Sequence, residues 1–330
     1  MPRLYRFFQH ALGRTILLCV LVGASLVYVA VAHQYLYTTF FGSTSDVVEH
    51  QLDTTPSAEL QYWTVARMSS AIDADTVTGA TDTSAYTQEQ NATAGTAAQE
   101  QGQPPTNSNV KDYPLSTIGK IFFTDSSGTN YVCSGTAIVS NNHNTFDTAG
   151  HCLYMYGSWS KNVIFVPLYD HNSAPYGRWA ATQLVIPKDW EADASTNDLH
   201  HDMGEAVVAK NDAGNLTDVV GGAGWAYNVS ATQPFYAYGY PAGAPFDGQT
   251  RQSCDKGEKG TVWEHGGGQV VSILCNMTGG SSGGGWFVKS GNQWYLNGHN
   301  DFTSTIKRNH MFSPYYDDTW YAIYNTTQNL

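Results

Sequence analysis

From residue 117 onward the sequence predicts an all-β domain, a barrel or a sandwich, ending in a short helix. Two observations carry the β reading. Runs at 120–124, 131–139, 163–166, 206–209, 235–238, 270–274 and 293–296 are rich in β-branched and aromatic residues and are broken by turn residues, the spacing of short strands in such folds. The 330-residue chain also holds 21 Tyr and 9 Trp among abundant Gly, Ser, Thr and Asn, and aromatic side chains favour half-buried pleated surfaces. The helix is read from Asp317-Asp318, candidate caps ahead of Thr319-Trp320-Tyr321-Ala322-Ile323-Tyr324. A hydrophobic fraction of 42% is ample for one large or two smaller cores.

The residues before this domain divide into three. Residues 1–32 carry Arg3, Arg6 and Arg14, then an apolar stretch that ends in Ala30-Val31-Ala32, a small-x-small pattern that reads as a secretory signal peptide. An uncleaved signal anchor is the alternative, because the run approaches the roughly 20 residues that span a bilayer. Only then would the chain meet a membrane. Residues 33–80 contain Ala58-Glu59-Leu60-Gln61-Tyr62-Trp63-Thr64-Val65-Ala66-Arg67-Met68-Ser69-Ser70-Ala71, read as a short helix after Pro56. Residues 81–116 are dominated by Thr, Gln, Ala, Gly, Ser and Pro. They are too poor in large aliphatic side chains to offset chain entropy, and read as a low-complexity linker open to nicking.

A net charge of −12 with only 13% charged residues argues against DNA or RNA as a partner. Of five cysteines, Cys19 would leave with the leader, and Cys133, Cys152, Cys254 and Cys275 remain. Four allow three pairings, and disulfides are expected over free thiols in an oxidising compartment. No CxxC pair occurs and His200-His201 lacks ligand spacing, so no metal site is expected. Sequons begin at Asn91, Asn215, Asn228, Asn276 and Asn325, acceptors for glycans if the source glycosylates.

Chemistry concentrates in two motifs. Thr278-Gly279-Gly280-Ser281-Ser282-Gly283-Gly284-Gly285-Trp286 offers a nucleophile in Ser282, and Thr148-Ala149-Gly150-His151-Cys152 offers a base in His151. A serine hydroxyl is weak at neutral pH and needs such a base. Glycines around Ser282 let backbone N–H groups approach a substrate carbonyl, and the amides of Gly280 and Ser282 are the candidate oxyanion donors. Alone, a Gly/Ser run is more often a loop and a His beside a Cys a packed residue; together, with an Asp between them, they suggest a triad. Asp202, at the mouth of the apolar run Ala206-Val207-Val208, is the candidate acid, with Asp198 as fallback.

With these motifs, Ile118-Gly119-Lys120-Ile121-Phe122-Phe123, Tyr131-Val132-Cys133-Ser134-Gly135-Thr136, Phe165-Val166-Pro167 and Tyr238-Gly239-Tyr240-Pro241 follow in one order. Residues 117–325 thereby resemble the chymotrypsin-like serine peptidases, in the bacterial-type branch that includes the glutamyl endopeptidases. The resemblance implies two perpendicular six-stranded barrels with the site in the cleft between them, over a domain at 117–330. It also implies disulfides Cys133–Cys152 and Cys254–Cys275, and a secreted monomeric endopeptidase that acts on proteins or peptides without a metal or organic cofactor. The Tyr-Trp-Thr…Arg-Met segment resembles the pro-region of secreted relatives, which implies a segment that covers the cleft or assists folding.

Asn276 and Met277 fall where such enzymes form the primary specificity pocket. Neither is a carboxylate, so Arg or Lys at P1 is disfavoured, and a glycan on Asn276 would obstruct substrate. His299 falls near the position of a histidine that receives acidic side chains in glutamyl endopeptidases, the basis for an acidic P1 preference; a barrel-rim histidine is the alternative reading. Three departures from the family pattern stand out. Asp147 replaces a usually apolar strand residue, Gly285 replaces a proline, and Ser281 replaces the acid that pairs with a new N-terminus in mammalian relatives, so activation through that ion pair is not expected. A catalytically silent homologue acting as a binding module is the competing class, with Asp147 and Gly285 as early signs of decay.

Overall fold

The computed structural model describes residues 46–75, 81–82, 87–88, 102–194 and 198–330. The expected leader with Cys19, and the part of the expected linker with Asn91, lie outside the described residues. In chain order the first elements are β1 (Val47–Gln51), α1 (Pro56–Tyr62), α2 (Val65–Ser70), β2 (Ile72–Asp73), β3 (Thr81–Asp82), β4 (Thr87–Gln88) and β5 (Gly102–Gln103). There follow β6 (Ile118–Thr124), β7 (Asn130–Ile138), β8 (Thr145–Thr148), β9 (Tyr154–Met155), β10 (Ser158–Trp159), β11 (Lys161–Pro167), β12 (Trp179–Pro187), α3 (Lys188–Ala192), β13 (Gly204–Val208) and α4 (Leu216–Val220). The last are β14 (Gly224–Ala226), β15 (Pro234–Gly239), β16 (Gln252–Lys259), β17 (Thr261–His265), β18 (Gly268–Leu274), β19 (Gly285–Ser290), β20 (Gln293–His299), β21 (Phe302–Ser304), β22 (His310–Pro314) and α5 (Asp318–Thr327).

Six strands in the order β12-β11-β6-β7-β8-β13 close on themselves through a β12–β13 pairing, forming the first barrel. Closure removes free edges and lets every position of β6 be buried. Ile121, Phe123, Phe146, Phe165, Leu184 and Ile186 fill it, with Phe146 and Phe165 stacked at 4.8 Å. The second half is built of two six-stranded sheets, β16-β15-β19-β20-β14-β5 and β3-β21-β22-β18-β17-β4, with Phe235, Ile273, Met277, Trp286 and Met311 in one core cluster. This is the all-β, two-barrel, chymotrypsin-like architecture that the resemblance implied.

The terminal helix α5 forms as read. Asp317 accepts from the Thr319 N–H at 2.8 Å as its cap, and Trp320, Ile323 and Tyr324 are buried. Asp147, on β8, explains why the helix docks where it does: its two carboxylate oxygens accept from Tyr316 Oη and Trp320 Nε1, each at 2.7 Å. The charge at this strand position is therefore a satisfied anchor between β8 and the C-terminal segment, which removes the reading of decay. Gly285 is equally required, since a Cβ there would stand 2.4 Å from Thr136 Oγ1.

The helix expected over 58–71 is two helices. Thr55 caps α1, with Pro56 at its first turn, and Thr64 caps α2 by accepting from the Arg67 N–H; the second cap breaks the run at Trp63-Thr64. Trp63 is buried against Phe122, ring centroids 5.4 Å apart, and its indole N–H donates to the Asn162 carbonyl. β1 adds to β12 as an outer antiparallel strand. Downstream, β2 pairs in parallel with β7 at Ile72↔Tyr131 and Asp73↔Val132, and β3 pairs in parallel with β21. The β2 pairing places residues 72–75 at the face that carries the sequence-predicted triad.

Candidate active site

His151 sits in a single 3-10 turn, Gly150–Cys152, directly after β8. The Cys133–Cys152 disulfide ties that turn to β7. Asp202 leads into β13, which pairs with β8, so two neighbouring strands bring acid and base together. Asp202 Oδ2 lies 2.8 Å from His151 Nδ1, and Oδ1 accepts the His151 backbone N–H at 2.7 Å. Both side chains are buried. Asp198 is not a partner: its Oδ1 pairs with His201 Nδ1 at 2.8 Å and lies 3.6 Å from His200 Nε2.

Ser282 belongs to the turn before β19. Ser134 on β7, unnoticed in the sequence, holds this turn from the first barrel: its N–H donates to the Ser282 carbonyl at 2.7 Å and its hydroxyl to the Gly280 carbonyl at 2.9 Å. Gly283 has φ +80, and a Cβ there would meet Thr148 Oγ1 at 2.1 Å, so only glycine lets the turn close on β8. The second disulfide, Cys254–Cys275, links β16 to the residue after β18.

The groups of the predicted site converge on a residue with no role in the sequence reading. Asp75, two residues after β2, places its carboxylate 2.9 and 3.0 Å from Ser282 Oγ, which donates to it. The same carboxylate accepts the Gly280 N–H at 3.1 Å and stands 3.1 Å from His151 Nε2. Among the described residues no hydrogen bond links Ser282 Oγ directly to His151 Nε2; Asp75 stands at both. Burial alone would push the His151 imidazole down, but the Asp202 and Asp75 carboxylates together hold it well above the ordinary histidine range. Burial likewise works against an ionised Asp202, and the paired His151 keeps its carboxyl below the usual range.

Two predicted pocket residues are placed elsewhere. His299 is fully buried, with Nδ1 2.8 Å from Tyr316 Oη and Nε2 3.0 Å from the Asp202 carbonyl oxygen. Both ring nitrogens are thus engaged in the interior, and the ring does not offer a receptor for an acidic side chain. Met277 is buried in the core cluster of the second half. Asn276, between the buried Cys275 and Met277, is exposed. The residue that instead reaches the His151–Asp202 pair is Asp301, whose Oδ1 lies 3.7 Å from His151 Nδ1.

A crystal structure of the protease Anisep from Arthrobacter nicotinovorans matches with a TM-score of 0.59 and 35% identity, covering 68% of this chain and 99% of that one. The chain belongs to the chymotrypsin-like serine proteases. Within this family a thermostable serine protease, AL20, from an extremophilic microorganism is 36% identical over 65% of this chain and 98% of its own, with a TM-score of 0.58. A Glu endopeptidase crystallised with MPD shares the fold at a TM-score of 0.51 and 18% identity, over 70% of this chain and 99% of that one. An "Extracellular metalloprotease" of Bacillus subtilis (strain 168) is 30% identical over 134 residues, spanning 40% of this chain and 36% of that protein. That name describes the relative; in this serine protease, Cys133 and Cys152 approach His151 closely enough to suggest a ligand set, but their sulfurs are joined to each other. No family model matches the chain.

Proposed function

We propose that the protein is a secreted serine endopeptidase, made as a latent precursor, that cleaves peptide bonds through His151, Asp202 and Ser282. The observation that carries this reading is convergence: one carboxylate, that of Asp75, touches a hydroxyl, an imidazole nitrogen and a turn N–H at once. A reacting carbonyl at that point would meet a nucleophile, a base and an oxyanion donor together. In the reaction, Ser282 Oγ attacks the peptide carbonyl while His151 Nε2 takes its proton. The N–H groups of Gly280 and Ser282 receive the oxyanion, and His151 returns the proton to the leaving amine. Asp202 orients the ring and balances the imidazolium, and water then resolves the acyl-enzyme by the same steps.

Latency follows from what Asp75 supplies. It presents a side-chain carboxylate to Ser282, which offers no scissile bond, and it favours the protonated form of His151, which cannot act as a base. The two disulfides suit an exported protein, and the P1 preference lies away from Arg and Lys. Fluorophosphonate labelling read by intact mass tests the triad. One adduct on the processed wild type and none on Ser282→Ala is expected, and a folded, processed wild type that takes no adduct would overturn the reading in favour of a binding module.

A further inference from the structure

The catalytic centre contains a third acid that the triad does not use. Asp301 follows β20 and precedes β21, and its backbone is locked on both sides: its N–H donates to the Phe312 carbonyl at 2.9 Å, and its own carbonyl accepts from Ser282 Oγ at 3.2 Å. The preceding Asn300 donates to the Tyr238 and Ser281 carbonyls and accepts from Trp286 Nε1. The Asp301 side chain is therefore delivered to one place. There it is fully buried, and neither oxygen accepts a hydrogen bond from any described donor. Its surroundings are His151, with Nδ1 at 3.7 Å from Oδ1, and a second carboxylate, Asp202; one polar side-chain atom each of Asp202, His151 and Asp301 lie within 4.8 Å of one another.

A buried carboxylate without a donor is unstable as an anion, the more so beside an ionised Asp202. A carboxylic acid in the same place has an O–H to donate. Asp202 already accepts two N–H groups from His151, and an ionised carboxylate has room for about four such contacts. We propose that Asp301 carries its proton in the working enzyme and is a positioning residue of the catalytic centre, donating a hydrogen bond to Asp202 and so fixing the carboxylate behind His151. Burial first, and then the Asp202 charge, hold the Asp301 carboxyl well above the usual range. The titratable groups facing it are Asp202 from the approach to β13, His151 from the turn after β8, and in the precursor Asp75 from the pro-region.

This inference rests on the triad reading, and its test separates the two. The full chain is expressed and processed, and wild type, Asp301→Asn, Asp301→Leu and Asp301→Ala are compared by kcat and KM across pH. Asparagine keeps a donor without a titrating proton, so Asp301→Asn retains most of kcat and lacks the alkaline decline that the wild type shows when Asp301 ionises. Leucine and alanine remove the donor and lower kcat by about 10–100-fold with little change in KM. Asp301→Asn as impaired as Asp301→Leu, or all variants keeping the wild-type alkaline limb, would overturn the proposal. Should the truncations fail to fold, infrared difference spectra of wild type against Asp301→Asn decide it: a carboxylic-acid C=O band must be lost at neutral pH. A wild type that takes no fluorophosphonate sinks the triad reading itself, whereas a labelled wild type with an unprotonated Asp301 sinks only this one.

Discussion

Replacing Asp75 by alanine in the uncleaved chain tests the proposed latency, because it removes the contact that ties the segment after β2 to Ser282, Gly280 and His151. The carboxylate accepts from Ser282 Oγ and the Gly280 N–H and faces His151 Nε2. A hydrogen bond to a charged group contributes roughly 1.5–3 kcal/mol. Because the contacts share one carboxylate they are not additive, and we take about 3–5 kcal/mol for the set. At roughly 1.4 kcal/mol per decade, the open form of the proposed precursor should gain roughly 100- to 4,000-fold in population. The assay is the initial rate of fluorophosphonate labelling, read by intact mass on uncleaved precursor so that processed enzyme does not contribute. The pH dependence gives a second readout. His151 has a raised folded value, so the His151–Asp75 pairing is fully present below about 6.5, the unfolded imidazole value, and is lost as pH rises through the folded value. Labelling of wild-type precursor should therefore set in at higher pH than labelling of Asp75→Ala. Equal rates and equal pH midpoints for the two precursors would refute the reasoning.

Trp63→Ala should loosen residues 46–75 from the first barrel, since Trp63 is 2% exposed and such truncations cost about 3–5 kcal/mol; faster proteolysis of these residues in the uncleaved chain is the expected pattern. Asp147→Ala leaves Tyr316 Oη and Trp320 Nε1 without their acceptor and should lower Tm by roughly 5–15 °C in calorimetry. Cys254→Ser opens a disulfide that closes a 21-residue separation and should cost about 2–4 kcal/mol in denaturant titration.

Much of the fold was legible because strand runs and turn residues are local. Pro56 and Asp317 also announced their helices, since a cap acts within one turn. The split between α1 and α2 was written in Thr64, which the apolar pattern outweighed. The site residues His151, Asp202 and Ser282 stood out because their neighbours are unusual in sequence as well as in space. Asp75 and Asp301 did not: Ile72-Asp73-Ala74-Asp75 carries no motif, and its position depends on parallel pairings with strands far along the chain. His299 misled for the related reason that two residues along a strand end decide which side chain reaches the cleft. Asp301 reaches the His151–Asp202 pair, while His299 holds the Asp202 backbone from behind. Asp147 looked anomalous only because its partners, Tyr316 and Trp320, come from the other end of the chain.

In the proposed precursor the carboxylate at Ser282 is carried by the same chain it would silence, which makes the strength of that inhibition a matter of connectivity as much as contact. A short tether holds a ligand at an effective concentration on the order of millimolar, so even a weak intramolecular clasp stays shut. Cutting the chain between Asp75 and β6 would turn the clasp into an ordinary complex whose occupancy depends on how crowded the solution is. Such a molecule would remain quiet where it is made and concentrated, and switch on by being diluted into its surroundings.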